Sequence, residues 1–169
     1  MEQNSKRVKE ELPVPRYGKV PKNEIPEDAV YQSVLLQKFI NKIMQDGKKS
    51  KAENIVYDAL DQVKQKLNKN PIDVFSKAID NLTPLLEVKA RRVGGATYQV
   101  PVEVSKARGQ AQAMQWLRDV CQDRKGRSMK EKLLAEIIDA FNGVGAAMKK
   151  KEDVHKTAEA NKAFAHFRW

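Results

Sequence analysis

Cysteine is nearly absent from this chain: Cys121 stands alone among 169 residues. A single thiol excludes an internal disulfide framework and suits a reducing compartment. Histidine is almost as scarce. His155 and His166 have no cysteine or second histidine at ligand spacing, so no metal site and no cofactor are expected. No serine or carboxylate is paired with a histidine at short range, although a triad assembled from distant segments would leave no such mark. Apolar runs are short. None approaches the roughly 20 residues of a membrane-spanning helix, and no signal-peptide core follows the N-terminus, so a soluble protein with no membrane partner is expected. Gly47-Lys48-Lys49-Ser50 bears only a faint likeness to a phosphate-binding loop, and Lys42 occupies the place of that loop's first glycine. Nothing here supports an enzyme.

What the chain does have is positive charge. Lys and Arg total 32 against 22 acidic residues, a net charge of +10, which makes polyanions the leading partner class. Its distribution says more than its sum. Residues 1–32 carry six basic and six acidic side chains, whereas 33–70 carry eight and four, and 105–130 carry seven and two. The excess therefore falls on segments expected to fold, and a basic face on a packed scaffold favours a partner of defined shape.

Four prolines, Pro13, Pro15, Pro21 and Pro26, and little apolar periodicity make residues 1–32 an extended arm. Residues 33–169 read as one helical domain. Leu36, Phe39, Ile40 and Ile43 form a stripe that stops at Asp46-Gly47. Ser50 to Glu53 has the form of a capping box opening a second helix through Leu67. Asn70-Pro71 starts a third helix, which Pro84 ends. Ser105 caps a fourth through about Arg124, with Ala107, Ala111, Met114, Leu117 and Cys121 on its packed side. Ser128 and Glu131 form another capping box before a fifth, closed by Asn142-Gly143, and a more polar sixth spans about Ala147 to Ala163.

Between the third and fourth helices, VKARRVGGATYQVPVEV (88–104) is the one strand-like stretch, and the ribbon it belongs to is placed at 86–104. Gly94-Gly95 as the central turn residues sets Val93 opposite Ala96 and Arg91 opposite Tyr98. A guanidinium beside an aromatic ring suits phosphates and unstacked bases. The architecture expected is mainly α, a bundle of about six helices with a protruding two-stranded β-hairpin. An isolated ribbon is marginal in water, so this one is expected to lean on something.

Each cation cluster has a plain reading beside the functional one. Lys149-Lys150-Lys151, followed by Glu152-Asp153, is either a solvated helix start or an RNA contact, and Arg124-Lys125-Arg127 is either a polar loop or a phosphate site. Trp116 and Trp169 either pack or stack on bases. Cys121 reads as a buried structural thiol. Lys48, Lys49 and Lys51 have no acidic residue among them at a helix start, where the macrodipole disfavours cations, which favours an external anion. Arg91-Arg92 beside two glycines is stronger still, because glycine lets backbone approach a ligand closely. A helical DNA-binding module and a protein-interaction bundle stay open on these grounds.

The segments FINKIMQDGKKS (39–50), VKARRVGGATYQVPVEV (88–104) and EANKAFAHFRW (159–169) resemble the bacterial form of ribosomal protein seven of the small subunit. The likeness covers roughly Lys38 to Trp169, with a weaker echo in LPVPRYG (12–18). It implies a helical bundle with a projecting hairpin that binds the 3′ major domain of small-subunit rRNA and nucleates assembly of the head. It implies that the hairpin lies near the mRNA exit channel and the exit-site (E-site) tRNA, and that small-subunit protein eleven and other head proteins are neighbours. The setting implied is a cytoplasmic ribosome, with an organellar one also open. Carried over by position, the RNA-binding residues are Arg16 and Tyr17 in the arm, Lys48, Lys49 and Lys51, then Lys89, Arg91, Arg92 and Tyr98, and Lys106 and Arg108. One departure stands out: KVPKNEIPEDAVYQ (19–32) intervenes where the family passes almost directly to its first helix.

Overall fold

The structure, a computed structural model, describes residues 25–167. Most of the expected arm, with Arg16 and Tyr17, and also Trp169 lie outside that range. In chain order the elements are α1 (Val34–Ile43), α2 (Lys49–Leu67), α3 (Pro71–Leu82), β1 (Leu86–Val93), β2 (Ala96–Glu103), α4 (Lys106–Asp123), α5 (Met129–Phe141) and α6 (Ala146–Ala160). A short 3₁₀ turn, Lys162–Phe167, follows α6. This is the expected mainly α bundle, with an antiparallel hairpin inserted between α3 and α4.

Capping and periodicity explain most of the helices. The Leu36 N–H donates to Ser33 Oγ at the start of α1, and the Ile72 N–H donates to Asn70 Oδ1 at the start of α3, where Pro71 takes the first helical position. Leu36, Phe39 and Ile40 on α1 are fully buried, as are Leu60 and Val63 on α2, Ile79 and Leu82 on α3 and Leu133 on α5. Each such side chain contributes about 1.5–3 kcal/mol when removed from water. Helix α5 packs against α2, α3 and α4 and forms the centre of the bundle.

Several local expectations are corrected. Helix α2 starts at Lys49 with Lys48 in the cap position and no side-chain cap, so Ser50 lies inside it. The tight turn at Asp46 (φ 53°) and Gly47 (φ 70°) starts the helix sooner, because the Lys48 N–H already bonds the Gln45 carbonyl at 2.9 Å. Ser105 precedes α4 without a side-chain cap bond. Ser128 forms half a box, its hydroxyl donating to Glu131 Oε1 at 2.9 Å rather than capping a backbone N–H. The final helix ends at Ala160 and tightens into the 3₁₀ turn.

Helix α4 is rotated from expectation. Ala107 and Ala111 are exposed, and the buried face is Gly109, Ala113, Met114, Leu117, Val120 and Cys121. Gly109 sets this rotation by close approach: a Cβ there would stand 2.8 Å from Thr83 Cγ2 and 3.1 Å from the Pro84 carbonyl oxygen. The gain in helix propensity from alanine, about 1 kcal/mol, is smaller than the strain of overpacking. Gly109→Ala is expected to destabilise the protein by about 1–2 kcal/mol in a urea titration. A more stable variant would show that the α3–α4 contact yields freely.

The hairpin base is tied to α6. The Leu85 N–H donates to His155 Nε2 at 3.2 Å, which requires a neutral imidazole. Burial, and then the nearby Lys151 ammonium, hold the His155 pKa below the ordinary histidine value. The unfolded chain therefore takes up the proton first as pH falls. This contribution is full above about pH 6.5 and is lost as pH drops through the lower folded value. The protection of the Leu85 amide, as its exchange rate relative to the intrinsic rate at each pH, should fall over that interval in the wild type and show no such step in His155→Ala.

Candidate nucleic-acid interface

The hairpin turns where the glycines allow it. Gly94 (φ 57°) and Gly95 (φ 88°) both occupy the left-handed region that the two-residue turn needs. The register is the expected one, with Val93 opposite Ala96 and Arg91 opposite Tyr98. Side chains alternate along a strand, so Lys89 and Arg91 share one ribbon face with Tyr98 and Val100, while Arg92 shares the other with Thr97 and Gln99. Lys89, Arg91 and Arg92 are all exposed, and neither arginine makes an ion pair among the described residues.

Tyr98 differs from expectation. Its ring lies 5.2 Å from Phe164 and 5.1 Å from Phe167, so the C-terminal 3₁₀ turn occupies it, and no guanidinium covers it among the described residues. This is the support the ribbon was expected to need. Phe164→Ala should speed amide exchange through β2 by about tenfold while leaving α2 and α5 unchanged, since an aromatic pair is worth about 0.5–1.5 kcal/mol beyond its burial. Equal acceleration in all three would mean that the contact stabilises the whole fold rather than the hairpin.

At the base of the ribbon, Glu87 gathers two of the expected contacts. Its carboxylate accepts from Arg108 Nε at 2.8 Å and pairs with Lys89 Nζ at 3.1 Å. Burial alone would raise the Glu87 pKa, but the hydrogen bonds and charges of Arg108 and Lys89 outweigh it and leave it lowered. Arg108 and Lys89 therefore also brace the hairpin against α4. Lys106, in the first turn of α4, is exposed and makes no ion pair among the described residues.

The α2 start forms a separate group. Lys48 pairs with Asp46 at 3.2 Å and Lys49 with Glu53 at 3.5 Å, both at exposed positions where such pairs are weak. Lys51 has no such partner among the described residues. Lys48 and Lys51 line a hollow shared with Gln122 at the far end of α4. From Lys106 to Gln122 the helix rises by about 24 Å. The hairpin and α2 groups are therefore separate clusters rather than one pocket. Between them, Lys38 and Lys42 of α1 border a second hollow against Ala107, Gln110 and Ala111. Sequence reasoning passed over these two lysines, although their i,i+4 spacing on the polar side of the α1 stripe was the available signal.

The clusters left open now divide. Arg124 is structural: its guanidinium pairs with Glu136 Oε2, and Glu136 is fully buried. Glu136 Oε1 accepts the Ala147 N–H at 2.8 Å and so satisfies the first turn of α6. Lys125 and Arg127 remain exposed without an ion pair among the described residues. Lys151 donates to the Asn81 carbonyl at 2.6 Å, and Lys150 lies 3.7 Å from Asp123, so this run braces the bundle. Trp116 is half-buried and lines a hollow between the hairpin base and α6, shared with Leu86 and Val154. Burial pushes the Cys121 thiol up to about 12, which leaves it inert.

A helical scaffold that carries a cationic ribbon and separate exposed lysines on α1, at the start of α2 and at the start of α4 has the build of a protein that holds a polyanion. A sequence model of the family described as Ribosomal protein S7p/S5e matches residues 15–162. A protein of Pelotomaculum thermopropionicum named small ribosomal subunit protein uS7 is 60% identical over 156 residues, which covers 92% of this chain and all of that one. Proteins of the same name from Bordetella petrii and Dictyoglomus turgidum are 59% and 57% identical over the same span. The chain belongs to the ribosomal protein S7p/S5e family.

Proposed function

We propose that this chain is a structural constituent of the small ribosomal subunit that binds the 3′ major domain of its rRNA and nucleates assembly of the head. On this reading the hairpin lies near the mRNA exit channel and the E-site tRNA, small-subunit protein eleven is a neighbour, and Arg16 and Tyr17 of the arm add contacts beyond the bundle. The observation that supports the reading is a set of exposed cations without ion-pair partners among the described residues, Lys51, Arg91, Arg92 and Lys106, each fixed on a helix or on the hairpin. Lysines and arginines fixed in this way release counterions from a folded RNA, and the fixed spacing favours a junction whose phosphates match it. No covalent chemistry is required. The protein acts by holding RNA helices in one arrangement to which later proteins add.

A competition titration tests this. Purified protein should prefer a transcript of the 3′ major domain to a scrambled RNA of equal length by at least about tenfold, equivalent to 1.4 kcal/mol. Equal affinity for both would overturn the reading, and preference for a duplex DNA would favour a helical DNA-binding module. Within the same assay, Lys48→Glu with Lys49→Glu should weaken binding more than Lys150→Glu, because Lys48 and Lys49 stand with the unpaired Lys51 at the start of α2, whereas Lys150 precedes Lys151, which is bonded to the Asn81 carbonyl. Equal losses would reduce the interaction to bulk charge.

A further inference from the structure

The hollow at the start of α2 has a composition that simple phosphate binding does not call for. Its volume is about 320 Å³, near the lower end of the ~300–1,000 Å³ of cavities that take small organic groups. The floor is apolar, formed by Ile43, Ala52, Ile55 and Met129 from three helices. Around the rim stand the side-chain amides of Gln45 and Gln122, neither of which hydrogen-bonds to another described residue. The Asp46 carboxylate joins them, held by Lys48 at 3.2 Å.

Cations stand on this rim and on the loop that leads away from it. Lys48 and Lys51 line it at the start of α2, and the loop that joins Gln122 to Met129 carries the exposed Lys125 and Arg127, which line an adjoining hollow with Glu131. Phosphates alone would need the cations but neither a greasy floor nor unpaired amides. A single unstacked nucleotide needs all three: apolar side chains against the base plane, donors and acceptors for its edge, and positive charge for the phosphates on either side.

We propose that this hollow holds one nucleobase splayed out of the bound RNA, with Gln45, Gln122 and Asp46 reading its edge. The inference rests on the RNA-binding function proposed above and adds a base-specific subsite to it. Glutamine amides offer both donors and an acceptor, and the carboxylate accepts from an exocyclic amino group or a ring N–H. Lys51 and the Lys125–Arg127 loop take the flanking phosphates. The face thus combines positioning by charge with a readout of sequence at one position.

Two footprints on the 3′ major-domain transcript separate the possibilities. Base-edge modification by dimethyl sulfate and carbodiimide should show one unpaired nucleotide shielded by the wild-type protein and exposed again with the double variant Gln45→Ala/Gln122→Ala. Both glutamines are exposed, so the fold is expected to survive. Hydroxyl-radical protection of the surrounding backbone should persist, and affinity should fall about tenfold. Replacing the identified nucleotide by an abasic one should then make wild type and variant bind alike. Unaltered base-edge protection in the variant, with backbone protection intact, overturns the subsite and leaves the RNA-binding reading standing. No protection of either kind by the wild type overturns both.

Discussion

Arg124→Ala is expected to be the most damaging single substitution at a partly exposed position. Arg124 supplies the cation for Glu136, a carboxylate with no exposed surface, whose other oxygen accepts the first-turn N–H of Ala147. Removing the guanidinium leaves a charge in the interior that must stay unpaired or take up a proton. Breaking a buried pair in this way costs about 3–5 kcal/mol. The arginine side chain is 36% exposed, and water can partly replace it, so the lower end, about 3 kcal/mol, is expected. For a chain of this size that lowers Tm by roughly 6–12 °C.

Arg124→Ala/Glu136→Gln should recover a large part of the loss. Glutamine keeps an oxygen for Ala147 and removes the orphaned charge. Glycine at 145 should stay in place in both variants. Its φ is 104°, and a Cβ there would press within 3.0 Å of Glu136 Oε1. Thermal denaturation of the two variants decides the matter. A melting point for Arg124→Ala within 2 °C of wild type would mean the pair is too solvated to stabilise anything.

Arg91→Ala/Arg92→Ala should weaken RNA binding by about tenfold near 0.1 M salt and flatten the logarithmic salt dependence by about 1.5, as expected for two lost phosphate contacts. The two residues should not contribute equally. Arg91 shares its ribbon face with Tyr98, which the C-terminal turn covers through Phe164 and Phe167. Arg92 stands on the opposite face beside Thr97 and Gln99, all three exposed. Arg92→Ala alone is therefore expected to account for most of the loss. Filter binding across a salt series would show it. An unchanged slope in the double variant would remove the hairpin from the interface, and a larger effect of Arg91 would place the RNA on the other side of the ribbon.

The family relation also bears on the segment before α1. The matched range takes in residues 19–32. Asp28 anchors the described part of that segment. It is only 2% exposed, it accepts the N–H groups of Val30 and Tyr31, and it receives the Tyr57 hydroxyl at 2.5 Å. Burial and this bond to Asp28 push the Tyr57 pKa up. Tyr31 adds a hydroxyl bond to Asp61 at 3.2 Å. At its C-terminal end this segment is a strap on α2.

The sequence by itself determined what depends on short range: the apolar stripes of α1 and α3, Asn70-Pro71 as a helix start, and two consecutive glycines setting the ribbon register. Those features act through residues a few positions apart, so periodicity and turn chemistry reveal them. Only the tertiary structure decided which charges are free and which are spent on the fold. Arg124 and Lys125 look alike along the chain, yet one meets a carboxylate twelve positions on and the other meets solvent. Glu136 was visible as a charge inside the stripe of Leu133, Leu134 and Ile137, but its use depended on how α5 meets the start of α6. The same holds for Tyr98, whose ring is claimed by a turn more than sixty residues later, and for α4, which Gly109 turns by admitting Thr83 and Pro84. A charge or a ring acquires its role from whatever lies within a few ångströms of it, and in a bundle that neighbour comes from another helix.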